Sequence, residues 1–148
     1  MADIDKIKKL REQTEISIGE CKKALETVGG DFEKAKDVLR QWGKELAKKK
    51  KTREASQGII DSYIHPNKKV GTLIELNCET DFVAKSPDFQ NLAHEICLQI
   101  AGFSDETVPL LEQPWIKDES KNIRELIDDT IAKIGENISV KRFVRYSF

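Results

Sequence analysis

His65 and His94 are the only histidines of this sequence, and histidine is the residue type best suited to moving protons near neutral pH. A catalytic site would be built around one of them or around convergent carboxylates. Neither histidine is set for that work. His65 closes an alternating stretch beside Pro66-Asn67-Lys68-Lys69, and His94 lies one position off the apolar stripe of its segment. The acids are scattered, and Asp128-Asp129 reads as a solvated helix face. The phosphate-loop pattern G-x-x-x-x-G-K-S/T is missing, as are G-x-G-x-x-G, G-x-S-x-G and H-E-x-x-H. Gly29-Gly30 reads as a helix stop, not a phosphate cradle. Cys21, Cys78 and Cys97 lack C-x-x-C spacing, and each falls on an apolar face, so buried reduced thiols are expected in place of a zinc site or disulfides. The expectation is a protein that is not an enzyme, with no cofactor and no metal.

Recognition is the chemistry left open. In Glu75-Leu76-Asn77-Cys78-Glu79-Thr80-Asp81-Phe82-Val83-Ala84-Lys85 an alternating strand runs into an acid followed by a large aromatic ring. Val70, Thr72, Ile74, Leu76 and Cys78 point one way, and Gly71, Leu73, Glu75 and Asn77 the other. The alternation breaks at Glu79-Thr80. Ser86-Pro87-Asp88 then opens a helix, with Ser86 as cap and Pro87 at the first position. Asp81 and Phe82 therefore sit on a short connection at the edge of a sheet. Two placements fit. The ring folds back into the core while Asp81 caps a turn, as most Phe residues are core; or acid and ring stand on a tip that enters another protein.

The elements that position this tip are legible on both sides of it. Ile4, Ile7 and Leu10 form one helical stripe, interrupted at Thr14-Glu15-Ile16. Ser17-Ile18-Gly19-Glu20 has the capping-box pattern. Cys21, Ala24, Leu25 and Val28 continue at helical spacing to the Gly29-Gly30 stop. Asp31 caps a third helix lined by Phe32, Ala35, Val38, Leu39 and Trp42, with Gly43 as its end. Residues 1–43 are thus expected as a three-helix bundle, too small to be robust alone and suited to docking. Residues 44–57 hold the run Lys48-Lys49-Lys50-Lys51 and no convincing apolar face, so they read as an exposed basic linker with at most a helical start; a solvated spacer fits better than a contact with RNA or an acidic partner, and no aromatic residue is interleaved for base stacking.

Residues 58–148 read as an α+β core. Ile59 to His65 and Val70 to Cys78 form a hairpin across the 66–69 turn. Phe89, Leu92, Ala93, Ile96, Cys97 and Ile100 line one face of a helix over 87–101. Val108 to Ile116 is extended and apolar, with Pro109 and Pro114 keeping it out of a helix. Ile123, Leu126, Ile127, Ile131 and Ile134 mark a further helix closed by Gly135. Alternation from Ile138 through Val140, Arg142, Val144 and Tyr146 marks a last strand. Three antiparallel strands backed by helices make a two-layer unit.

Bulk properties bound the rest. The chain has 148 residues, 39% hydrophobic and 34% charged, with net charge −1. That balance argues against a general nucleic-acid binder. No apolar run approaches membrane-span length, and Met1-Ala2-Asp3-Ile4-Asp5 lacks a signal-peptide core, so the expected compartment is the cytoplasm, with no membrane and no direct nucleic-acid partner.

Three segments in order resemble one family. Leu10-Arg11-Glu12-Gln13-Thr14 with Cys21-Lys22-Lys23-Ala24-Leu25 is similar to the N-terminal signature of the elongation factor Ts family. The 75–85 segment resembles its second signature, and Ala132-Lys133-Ile134-Gly135-Glu136-Asn137-Ile138 resembles a stretch leading into a late strand. The chain looks like a short form. The resemblance implies that the bundle is ubiquitin-associated-like and that the core is of the dimerisation type. It further implies nucleotide exchange on the GTPase elongation factor Tu, promoting GDP release. Thr80, Asp81, Phe82 and Val83 would then enter the GTPase domain beside its nucleotide and dislodge the bound magnesium. Arg11 and the Ile18 region of the bundle would dock on the same domain.

The sequence also departs from the family. Only Gly102-Phe103-Ser104-Asp105-Glu106-Thr107 joins Ala101 to Val108, where members commonly carry a longer helical insertion. Contacts with the β-barrel part of elongation factor Tu are correspondingly in question. Glu15 stands where glycine is usual, and Ile18-Gly19 where two methionines are common. A three-stranded sheet leaves an edge and a face exposed, which a second copy would cover, giving a homodimer within a heterotetramer. Two other functions use the same features differently. A ubiquitin-associated-type adaptor would use the bundle without needing Asp81-Phe82, and a ribosome- or RNA-associated accessory protein would rely on Lys48 to Lys51 with Lys141, Arg142 and Arg145.

Overall fold

The computed structural model describes residues 3–148; Met1 and Ala2, which open the first expected unit and the N-terminal stretch read for a signal peptide, lie outside them. Helices α1 (Ile4–Thr14), α2 (Ile18–Thr27) and α3 (Phe32–Lys50) come first. Asp3, Ser17 and Asp31 each cap a helix start, accepting from the backbone N–H of Asp5, Glu20 and Lys34. Ile7, Leu10, Cys21, Ala24, Leu25, Ala35 and Leu39 bury together as the core of this bundle. Glu15 turns the chain between α1 and α2 in the left-handed conformation, φ 59°. Only residues without a Cβ adopt that conformation freely, which is the physical reason glycine suits the position.

Gly43 does not end α3. The helix runs on to Lys50, so the first half of the expected linker is ordered helix. Gly43 is buried, and a Cβ there would stand 3.1 Å from the Cβ of Ala132 on α6 (Ile123–Ile134). The glycine is a close-approach point between two helices. Four residues on, Ala47 is 2% exposed and belongs to the core of the second unit. Lys44 pairs with Glu125 at 3.3 Å, and Lys50 donates its ammonium to the Gly135 carbonyl. Three lysines in the last turn also suit the negative end of the helix. The lysine run is therefore partly a helix terminus anchored on the core, and the spacer reading fails over 44–50.

The second unit is α+β. Strands β1 (Gln57–Ile64), β2 (Val70–Cys78) and β5 (Ser139–Ser147) form one antiparallel sheet in the order β1-β2-β5. Helix α5 (Pro87–Gly102), capped by Ser86, lies on β1 and β2, and α6 packs beside α5 and α3. Phe89, Ile96, Cys97, Ile74, Leu76, Cys78 and Ile123 are each at most 1% exposed and form the centre of the core. All three cysteines are free and buried, and burial pushes the thiols up, Cys97 to about 11. A two-stranded ribbon of β3 (Pro114–Trp115) and β4 (Asp118–Asn122) was not visible in the apolar pattern. It follows a single 3₁₀ turn at Leu110–Glu112.

One register detail corrects the reading of the last strand. Glu75 pairs with Arg142 but Leu76 with Val140, leaving Lys141 as a bulge. The alternation therefore changes face at Lys141. Val140 lies on the core side opposite Leu76, and Phe143 and Arg145 join that side opposite Ile74 and Thr72. Arg142, Val144 and Tyr146 lie on the outer face, where Ile60, Ile64 and Leu73 are also exposed.

Gly58 closes the sheet against the tip. Its φ is 155°, and a Cβ would come within 2.1 Å of the Leu76 carbonyl oxygen and 2.8 Å of Asn77 Cα. These are backbone atoms that cannot step aside. Gly58→Ala is expected to destabilise the chain by roughly 3 kcal/mol, the upper part of the overpacking range, read as a lower urea midpoint at unchanged slope. An unchanged midpoint would show that β1 shifts freely over β2.

Candidate functional site

The site is the connection between β2 and α5. Thr80 caps a single helical turn, α4 (Asp81–Ala84): its hydroxyl accepts from the Val83 N–H at 3.2 Å. Backbone N–H groups of Ala84 and Lys85 donate to the carbonyls of Thr80 and Asp81, and Ser86 N–H and its hydroxyl both donate to the Val83 carbonyl. Cys78 donates its thiol to the Thr80 carbonyl from below. The turn is thus closed by its own backbone and joined without slack to strand and helix.

Its side chains divide sharply. Val83 and Ala84 are 7% and 5% exposed and belong to the core. Phe82 is 83% exposed. The placement in which this ring folds back into the core is therefore excluded. The turn has helical geometry, so adjacent side chains point about 100° apart. Burying Val83 and Ala84 forces Phe82 and Asp81 outward. Asp81 faces Lys85 at 3.9 Å, but both side chains are largely in water, and such a pair contributes little. Of the four residues singled out in the sequence, Thr80 shapes the turn, Asp81 and Phe82 form its outer surface, and Val83 anchors it; Val83 is not presented for contact.

Residues that the motif reading passed over hold the tip in place. Glu136, on the loop between α6 and β5, accepts from the N–H groups of Glu79 and Thr80 at 3.2 and 3.0 Å and from the Thr80 hydroxyl at 2.8 Å. Glu79 returns the contact by accepting from the Asn137 N–H at 2.7 Å and pairing with Arg53 at 3.7 Å. Asn137 in turn donates its amide to the Arg53 carbonyl at 2.8 Å. Two carboxylates therefore cross-tie three loops behind the ring. The 132–138 segment contains Glu136 and Asn137, but spacing alone gives no sign that they reach Thr80.

The other candidates are placed separately. Arg11 is exposed in the last turn of α1, and Ile18 is 55% exposed at the start of α2. Both stand on the bundle surface, flanking the Glu15–Ser17 connection, and Glu15 itself pairs with Lys133 at 3.0 Å. The basic set suggested for RNA is not brought together. Arg145 is tucked inward, paired with Glu106 and donating to the Ala101 carbonyl, whereas Arg142 pairs with Glu75 on the outer face. His65 is exposed and hydrogen-bonds Tyr63 at 3.1 Å, and His94 is exposed on α5. Among the described residues no three His, Cys, Asp or Glu side chains converge on one point as metal ligands. No described helix is long and apolar enough to cross a membrane.

By sequence, the chain is similar to elongation factor Ts. A family model described as elongation factor TS covers residues 79–148, the tip and everything after it. Elongation factor Ts of Coprothermobacter proteolyticus is 43% identical over 187 aligned positions, covering 95% of this chain and 95% of the relative. That of Thermodesulfovibrio yellowstonii is also 43% identical, covering 95% and 92%. A Thermoanaerobacter elongation factor Ts is 38% identical over 99% of this chain. These alignments are longer than the chain itself, so the relatives carry residues that it lacks.

Proposed function

The chain belongs to the elongation factor Ts family of translation elongation factors, and from that membership and the geometry of the tip we infer that it is a guanine nucleotide exchange factor for elongation factor Tu. The exposed Phe82 on its cross-tied turn is the observation that carries this reading. The ring and Asp81 enter the GTPase domain beside the nucleotide and disturb the magnesium that bridges protein and phosphates. Arg11 and Ile18 dock the bundle on the same domain. The chain forms and breaks no covalent bond; GDP leaves because the two bound states exclude one another.

Magnitudes decide how the work is shared. A hard cation and phosphate-loop donors hold the nucleotide. Weakening that hold by about 10⁴-fold requires roughly 5.5 kcal/mol of differential binding. Burying one Phe side chain contributes on the order of 1.5–3 kcal/mol. The ring is therefore the lever, and the docking of bundle and core supplies the remainder. Helix α3 suits this division, because it links both units as one continuous helix.

Coupling of this kind is reciprocal. Calorimetry should find the chain binding nucleotide-free elongation factor Tu more tightly than the GDP·magnesium form, by the same factor by which it weakens GDP. Equal affinity for the two forms would remove the exchange function. A homodimer within a heterotetramer is part of the reading, supported by the apolar outer sheet face of Ile60, Ile64, Leu73 and Tyr146. An adaptor function would leave the tip without a role, and RNA association would lack an assembled basic surface.

A further inference from the structure

The sheet ends at β5, whose far side pairs with no other strand. A groove of about 630 Å³ runs there, and residues 137–143 line it without a gap. Alternate strand residues point to opposite faces, so an unbroken lining means that the groove follows the strand's edge. Its opposite wall is apolar, made by Leu110, Leu111, Ile127 and Ile131, and Phe143 faces it from the strand. The backbone of residues 139–143 makes its recorded hydrogen bonds across to β2 alone. One edge of polar backbone is thus bare beside an apolar trough.

The rim is cationic. Lys51, Arg124 and Lys141 line the groove and make no ion pair among the described residues, and Arg142, paired with Glu75 on the outer face, borders it. Asp128 is the one acid in the lining, and burial pushes its carboxyl up. A second copy paired antiparallel about this stretch would bring the Lys141 and Arg142 cations of both chains together, and like charges across a strand pair are unfavourable. A strand of the opposite charge meets no such penalty.

The geometry points to this edge as a docking site for an extended segment of a partner protein, alternating apolar and acidic side chains, that adds to β5 as a fourth strand. Backbone pairing would supply register. The apolar side chains would face the trough, and the carboxylates, on the other face of the added strand, would lie along the exposed Lys141 bulge and Arg142. The surface is separate from Asp81 and Phe82, so its occupancy does not depend on the exchange reading.

A fluorescein-labelled peptide alternating valine and glutamate tests this on the full chain by anisotropy, against a counterpart with lysine in place of glutamate. Saturable binding of the glutamate peptide is expected, at least about tenfold tighter than the lysine peptide and weakening with salt. Amides of residues 139–143 should gain hydrogen-exchange protection on binding. Lys141→Glu, at an exposed bulge, and Phe143→Asp, at a half-exposed position, should each lower the affinity at least about tenfold. Melting curves identify any variant that is unfolded, and Lys141→Glu carries the test if Phe143→Asp does not fold. Equal binding of the two peptides, no saturable binding, or unchanged affinity in a folded Lys141→Glu would overturn the proposal. So would self-association that Lys141→Glu abolishes, since the occupant would then be a second copy.

Discussion

Phe82→Ala is expected to slow GDP release from elongation factor Tu about ten- to a hundredfold at a fixed, subsaturating concentration of the chain. The range follows from the side chain: losing its burial forfeits on the order of 1.5–3 kcal/mol, and 1.36 kcal/mol is a factor of ten in rate. The variant should fold as the parent does, because the ring is 83% exposed and contributes little to the core. Stopped-flow release of a fluorescent GDP, with urea denaturation as the control, separates the two effects. Equal release rates for parent and variant at matched concentrations would mean that the ring is not the lever.

Glu136→Ala is expected to produce a comparable loss with Phe82 untouched. Glu136 accepts three hydrogen bonds from Glu79 and Thr80, and bonds to a charged acceptor contribute about 1.5–3 kcal/mol where they are shielded. Part of this contact is open to solvent, so the lower end is the realistic figure for global stability. The larger effect is on the tip. Each freed residue must be reordered on docking at a cost of about 1–2 kcal/mol, so freeing even one or two lowers exchange about tenfold or more. Faster hydrogen exchange at the Thr80 amide, together with slower GDP release, is the expected pair of observations. A loosened Thr80 amide with an unchanged release rate would show that the cross-tie has no part in exchange.

Local periodicity made much of the fold legible, and its failures share a cause. The hairpin, α5 and α6 were each written in a single stretch, with Ser86-Pro87 starting one helix and Gly135 stopping another. Gly43 reads as a stop only when α6 is out of view; beside Ala132 it is a contact. Lys44 to Lys50 shows no apolar face of its own, yet Ala47 is buried in the core and Lys44 and Lys50 tie the turn to it. The Lys141 bulge leaves the strand's composition unchanged and redirects every side chain after it. Phe82 could not be placed from its own type, because what expels it is the burial of Val83 and Ala84 beside it. Glu136 lies 56 residues from Thr80, beyond the reach of any spacing rule.

The most direct test of the central claim is the release of labelled GDP from elongation factor Tu in excess magnesium, followed with and without this chain. The account predicts that release accelerates with the concentration of the chain, that raising magnesium opposes the acceleration, and that Phe82→Ala removes most of it. A release rate independent of the chain at any concentration would contradict the account.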